Sequence, residues 1–264
     1  MSISLIELQR RLRHNASRMV GLRSNPAGPH FLGIGTQKGG TSSLYHLLKR
    51  HPNVYLPANK EQHYFTTHYE QGKAWYEREF ADAAPGQIRG EITPYYLFHP
   101  KVPERIYRYR ASMLLIALLR DPVDRALSQY FHAFRHGFET LSLEDALAAE
   151  PERMASGHPY NHQKHSYVSR SRYEKQLKRY EGFFRRNQIL LLRSEDLFHN
   201  TQQCWIKIQR FLGLNLQLTE QTLPWVNGGQ GESASVSDDI RRRIRETLTP
   251  TYEILRKNYG ISWD

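Results

Sequence analysis

At 264 residues the chain is long enough for one large domain with a sizeable core, and its mix of 39% hydrophobic and 24% charged residues excludes a disordered chain. Its single cysteine, Cys204, excludes an internal disulfide framework and any multi-cysteine zinc site. Lys plus Arg outnumber Asp plus Glu by 37 to 26, a formal charge of +11, which directs attention to anionic partners: nucleic acid, anionic lipid, or a charged nucleotide or glycan.

Residues 1–29 read as an N-terminal helical extension, with Ile6, Leu8 and Leu12 on an apolar side. This segment has no long apolar core and no cleavage site of a secretory signal. The longest uninterrupted apolar run, 113–119, is far too short to cross a membrane. No membrane span is expected, surface contact stays open, and the expected location is cytoplasmic. Residues 30–264 read as one domain.

Strands are expected at FLGIG (31–35), MLLIALLR (113–120) and NQILLLRSEDL (187–197), with a shorter one near QIRGEI (87–92). The first three are apolar runs rather than alternations, the pattern of parallel strands covered on both faces. Helical spacing falls between them. Leu44, Leu47 and Leu48 share a face; so do Val123, Leu127, Tyr130, Phe131 and Phe134. Ser142 and Asp145 fit a capping box. Tyr173, Leu177 and Tyr180 mark a helix, another spans Asp238 to about Leu248, and a last one follows Pro250. The fold class expected is α/β: a single P-loop-like domain with a central, mostly parallel sheet flanked by helices. Two polar stretches, 155–166 and 226–237, read as long surface loops.

The first strand runs into GTQKGGTSS (35–43). Gly35, Gly39 and Gly40 let the backbone turn sharply and approach a ligand. Amides at the following helix start, with the Gln37, Thr41, Ser42 and Ser43 side chains, can hold phosphate or sulfate oxygens, and Lys38 adds a mobile charge. A Walker A loop places its lysine after the last glycine, and a Rossmann loop spaces its glycines differently. An ordinary βα turn with an exposed lysine remains the bland alternative.

At this loop the sequence resembles the sulfotransferases that use 3′-phosphoadenosine 5′-phosphosulfate (PAPS), over roughly residues 30–215. The loop, the downstream His-Pro and KEQHYF (60–65) are most similar to the branch containing heparan sulfate N- and 3-O-sulfotransferases and bacterial relatives. The resemblance implies that the loop holds the 5′-phosphosulfate, with Lys38 beside the bond that breaks. It implies Glu61 as the catalytic base, with His63 arranging the acceptor site or serving as base itself. From chemistry alone, a carboxylate within reach of an attacking hydroxyl or amine can take its proton. Lys60 is left with an anionic acceptor to contact, or nothing.

In GEITPYY (90–96), Glu91, Thr93, Pro94 and Tyr95 match the relatives' motif. Ile92 stands where some relatives carry a lysine, which removes one positive contact and shifts charge stabilisation onto Lys38. Further on, Arg120 ends an apolar strand and Asp121-Pro122 opens a helix, with Ser128 two turns in. An arginine fork at a strand's C-terminal end suits a terminal phosphate; pairing of Arg120 with Asp124 is the alternative. The resemblance is specific here. R-D-P-x-x-R-x-x-S is present as Arg120, Asp121, Pro122, Arg125 and Ser128, and it implies that Arg120 and Ser128 bind the 3′-phosphate.

Tyr167 and Tyr173 are candidates to line the site, and Arg193, Ser194 and Glu195 to support the fold or the site rim, with no chemistry assigned. His158, His162 and His165 read as loop surface or acceptor contacts rather than a metal site. The late loop LPWVNGGQGESASVS (223–237) offers Trp225 for adenine stacking and the amides of Gly229 and Gly231, but no Lys or Arg. The function implied is sulfuryl transfer from PAPS to a hydroxyl or amine, with adenosine 3′,5′-bisphosphate as product and no metal required. The expected acceptor is a carbohydrate or glycoconjugate; a small phenol, alcohol or lipid is the alternative. A P-loop nucleotide phosphotransferase would need Walker placement of the lysine. A nucleic-acid binder would need a basic-aromatic module, and nucleic acid is not expected as a partner.

Overall fold

The computed structural model describes residues 28–218 and 232–263. Five strands form one sheet: β1 (Phe31–Gly35), β2 (Val54–Tyr55), β3 (Ile88–Ile92), β4 (Leu114–Leu119) and β5 (Ile189–Arg193). Their order is β2-β3-β1-β4-β5, and every neighbouring pair is parallel. This is the α/β architecture expected from the apolar runs. The helices in chain order are α1 (Thr41–Lys49), α2 (Lys73–Glu77), α3 (Val102–Tyr109), α4 (Pro122–Arg135), α5 (Leu143–Ala155) and α6 (Pro159–Lys164). Then come α7 (Tyr173–Glu181), α8 (Ser194–His199), α9 (Thr201–Leu212), α10 (Asp238–Thr247) and α11 (Thr249–Ile254).

Both sheet faces are covered, and β4 shows why its sequence is continuously apolar. Leu115, Ala117 and Leu119 face a core completed by Tyr96, Tyr173, Leu177 and Tyr180. Ile116 and Leu118 face the opposite core, with Leu44, Leu47, Leu48, Trp205 and Ile208. Alternate residues thus enter different cores, and no position is left for a polar side chain. Cys204 is buried in the second core and is a free thiol. Ser142 caps α5 by accepting from the Asp145 amide at 3.2 Å.

The structure departs from expectation in three places. The strand expected over 187–197 ends at Arg193, because Ser194–His199 turns into α8. The two-residue strand β2 is too short to leave a period in the sequence. The stretch 155–166 is not a surface loop throughout. It contains α6, and His165 and Ser166 are buried, with His165 bonded to Asn161 and to the Phe138 carbonyl. Residues 1–27, hence Ile6, Leu8 and Leu12, lie outside the described residues, as do 219–231 with Trp225, Gly229 and Gly231. Among the described residues no helix is long and apolar enough to cross a membrane.

Candidate active site

β1 and β4 are neighbours, so the chain leaving each emerges at the same end of the sheet, where open α/β sheets bind ligands. There a cleft of about 210 Å³ is walled by Gln37, Lys38, Gly39, Gly40, Thr41 and Ser42 from the glycine loop. Lys60, Glu61, Pro94, Arg120, His132, Ser194 and Phe198 complete it. Most of the residues singled out in the sequence therefore meet in one place.

The glycines are dictated by packing. A Cβ on Gly39 would stand 2.9 Å from the Leu118 carbonyl of β4, and one on Gly40 would stand 2.9 Å from the Phe198 ring. Gly40 also adopts φ 84°, the left-handed conformation at which the loop enters α1. Among the described residues no side chain caps α1 and no acidic residue lies in its first turn, so its positive dipole end, with Thr41 and Ser42, faces the cleft. The loop is pinned from three sides. The Thr36 amide donates to the Leu118 carbonyl at 2.7 Å, Ser194 Oγ donates to the Gly39 carbonyl at 2.8 Å, and Arg120 donates to the Lys38 carbonyl at 3.3 Å. Arg170, wholly buried, donates to Gln37 Oε1.

Burial, followed by the neighbouring charges of Arg135, Arg120 and Arg125, pushes the Lys38 ammonium down to about 8. Among the described residues its ammonium makes no hydrogen bond or ion pair. A partly desolvated cation among other cations is poised for an anion. Ser128 on α4 is buried, and its hydroxyl has no partner among the described residues. Such an orphan is costly unless a ligand or water satisfies it.

Glu61 enters from the other wall. Its amide donates to the Ile92 carbonyl at 3.1 Å, which ties it to the end of β3. Lys60 Nζ lies 2.6 Å from Glu61 Oε1, and His63 Nε2 lies 3.6 Å from Glu61 Oε2. Burial raises the Glu61 carboxyl, but the His63 and Lys60 contacts outweigh it and hold the group down to about 2. Lys38, Glu61 and His63 are also the only non-glycine residues with left-handed φ among the described residues, at 69°, 64° and 53°. Strain of this kind persists where the surroundings enforce it, and it clusters at sites of chemistry.

The rest of the 60–69 motif is an anchor. Tyr64 stacks on Tyr76 at 4.2 Å, and Phe65 packs edge-on against Tyr76, Tyr96 and Tyr109. Arg105 of α3 donates to the Phe65 and Thr66 carbonyls. Lys60 and Glu61 therefore face the cleft, while the aromatics plug the core.

Several residues take places that the sequence left open. Gly35 and Ser43 are buried and do not wall the cleft, and neither does Ser128, one helical turn before His132. Arg120 does not pair with Asp124, which instead binds Arg241 at 2.9 Å. Arg125 is wholly buried, bonding Ser171 Oγ at 2.6 Å, Gln129 Oε1 at 2.5 Å and the Tyr167 carbonyl, so it braces the fold. Tyr167 and Tyr173 are also wholly buried and do not wall the cleft; Tyr173 donates to the Arg120 carbonyl at 3.0 Å. Ile92 is buried in the core, where it fills the space above Gly33. His162 is half-buried rather than free loop surface: its Nδ1 lies 2.7 Å from the Tyr95 hydroxyl and its ring stacks on Phe98. Sequence reasoning missed His132 and Phe198 as cleft walls, and gave Ser194 only a supporting place in the fold or at the rim. Only the four-residue spacing of His132 from Ser128 signalled one of them.

The Sulfotransferase domain family matches residues 28–228. A sulfotransferase from Alicyclobacillus acidocaldarius shares the fold at TM-score 0.76 and 28% identity, covering 90% of this chain and 98% of that one. Human heparan sulfate glucosamine 3-O-sulfotransferase 3B1 is 27% identical over 266 residues, 89% of this chain and 65% of that protein. Mouse heparan sulfate glucosamine 3-O-sulfotransferase 5 is 29% identical over 200 residues, 74% of this chain and 56% of its own length. The chain thus spans less than two thirds of either curated relative.

Proposed function

This chain belongs to the sulfotransferase family, and from that premise we propose that it transfers a sulfuryl group from PAPS to a hydroxyl or amine of a carbohydrate or glycoconjugate. The observation that carries this reading is the meeting, in one cleft, of an open phosphate cradle and a carboxylate. Lys60 Nζ touches both walls, at 3.3 Å from Thr41 Oγ1 and 2.6 Å from Glu61 Oε1.

The residues fit the donor. Gly39 and Gly40 let the loop pack closely against the Leu118 carbonyl and the Phe198 ring, the α1 end carries no side-chain cap, and Ser128 offers an unsatisfied hydroxyl. PAPS, when bound, supplies the sulfuryl group. Gln37, Gly39, Gly40, Thr41 and Ser42 hold its 5′ end, and Arg120 and Ser128 hold the 3′-phosphate. Gly35 and Ser43 shape the loop from behind. Trp225 and Gly229 remain our candidates for the adenine end.

Glu61 accepts the acceptor's proton as the acceptor oxygen or nitrogen bonds to sulfur. The S–O bond to the 5′-phosphate breaks, and its electron pair stays on the phosphate. Lys38 neutralises the charge that gathers there, an electrostatic role suited to a preformed, partly desolvated cation. His63, held by Thr66 Oγ1 at 3.2 Å, positions Glu61 and the acceptor. Catalysis by this chain is alignment and charge stabilisation, as in phosphoryl transfer.

We assign this activity to one domain from residue 30 onward, preceded by a separate N-terminal extension, and to the cytoplasm. We assign the positive charge to donor and acceptor rather than to nucleic acid. The test is a PAPS-dependent transfer assay, read by mass spectrometry, over heparan-type and neutral oligosaccharides, glycolipids and small phenols. Sulfated oligosaccharide is expected. Sulfation confined to phenols would remove the carbohydrate assignment while keeping the donor.

A further inference from the structure

The cleft holds a second lysine. Lys60 precedes Glu61, and its ammonium donates to Glu61 Oε1 at 2.6 Å and to Thr41 Oγ1 at 3.3 Å. Thr41 is the first residue of α1, whose uncapped amide end faces the same cleft as Lys38. The Lys60 side chain is only 19% exposed, so it is held in the cleft rather than solvated outside it. Ile92 is buried in the core, and Thr93 and Pro94 follow it, so the end of β3 brings no cation of its own. A surface ion pair between sequence neighbours would explain the contact with Glu61. It would not explain the reach across to the opposite wall.

Resting on the sulfotransferase reading, we propose that Lys60 is a second catalytic cation, which moves from Glu61 to hold the free oxygens of the transferring sulfuryl group at the Thr41 end of α1. Lys38 and Lys60 then flank the reacting group from opposite walls, one at the leaving phosphate and one at the sulfuryl oxygens. The exchange also prepares the base. Lys60 is one of the contacts that hold Glu61 ionised but weakly basic, near 2. Once Lys60 turns to the donor, the carboxylate regains proton affinity at the step that needs it.

The test compares wild type, Lys60→Ala and Lys60→Arg by calorimetry with PAPS and with adenosine 3′,5′-bisphosphate, both without acceptor, alongside turnover. Only PAPS carries the group that Lys60 would touch. Lys60→Ala should bind the bisphosphate within about threefold of wild type, bind PAPS about tenfold more weakly, and lose about thirtyfold or more in kcat. Lys60→Arg should recover part of both losses. Bisphosphate binding also reports that each variant is folded. Equal changes in both affinities, or no change in either, would overturn the proposal whatever kcat does. A wild-type protein that binds neither ligand would instead remove the sulfotransferase reading beneath it.

Discussion

The glycine-loop wall of the cleft is built from adjacent strand ends, whereas the Glu61 wall is a turn held by contacts from several separate segments. In the first, β1 and β4 lie side by side, and the loop's glycines are fixed by the Leu118 carbonyl and the Phe198 ring. In the second, residues 60–66 hang from the end of β3, from the Tyr96 hydroxyl and from Arg105 of α3. A wall made of strand ends and a helix start carries its own donors. A wall made of a turn depends on its supports to aim two or three side chains. The first should therefore govern donor binding and charge, and the second proton transfer.

The sharpest break in that comparison is Lys38→Ala. It should lower kcat/KM by about 10³- to 10⁴-fold and weaken the bisphosphate as well, because one charge serves both binding and the transition state. Glu61→Gln should lower kcat by about 10²- to 10³-fold while leaving bisphosphate affinity within about threefold. Retained turnover in that variant would move the base to His63. The two variants together show whether binding and chemistry divide between the walls.

Arg125→Ala touches neither wall directly. It strips Ser171 Oγ, Gln129 Oε1 and the Tyr167 carbonyl of a buried donor. A loss of about 3 kcal/mol of unfolding free energy in denaturant titration is expected, with turnover per folded molecule changed less than in the first two variants.

The smallest effect concerns Glu91 behind the Glu61 wall. Burial pushes its carboxyl up to about 7 from 4.5, against the opposing pull of the Tyr96 and Tyr76 phenols. A carboxyl raised in the folded state binds more protons there than when unfolded. Its contribution to stability is complete below pH 4.5 and is lost as pH rises through 7. Glu91→Gln should flatten that part of the pH–stability profile, removing the decline that wild type shows as pH rises from 4.5 through 7. An unchanged profile would mean that Glu91 is ionised and paired.

Much of the glycine-loop wall was legible because its constraints are local. A glycine pair after a strand, a lysine out of Walker order, and Asp121-Pro122 opening a helix are all short-range signals. Three of the four main strands were legible as continuous apolar runs; β3, which carries Arg89 and Glu91, was not. Much else was not, since it depends on contacts between residues far apart in the chain. Nothing near Ser194 announces that its hydroxyl holds the Gly39 carbonyl, and nothing near Arg170 announces Gln37. His162 read as loop surface because its partners, Tyr95 and Phe98, lie more than sixty residues away. Arg125 read as part of a binding motif, yet the structure uses its guanidinium as a brace. In a motif of fixed residues, sequence alone does not separate those that face the ligand from those that hold the others still.

Titration calorimetry of the wild-type protein with adenosine 3′,5′-bisphosphate, ATP and duplex DNA tests the central claim most directly. The bisphosphate should bind at one site with a Kd of about 1 to 10 μM or tighter, and ATP and DNA at least about tenfold more weakly. Tight binding of ATP or DNA with no binding of the bisphosphate would contradict the assignment of this cleft to a sulfuryl donor.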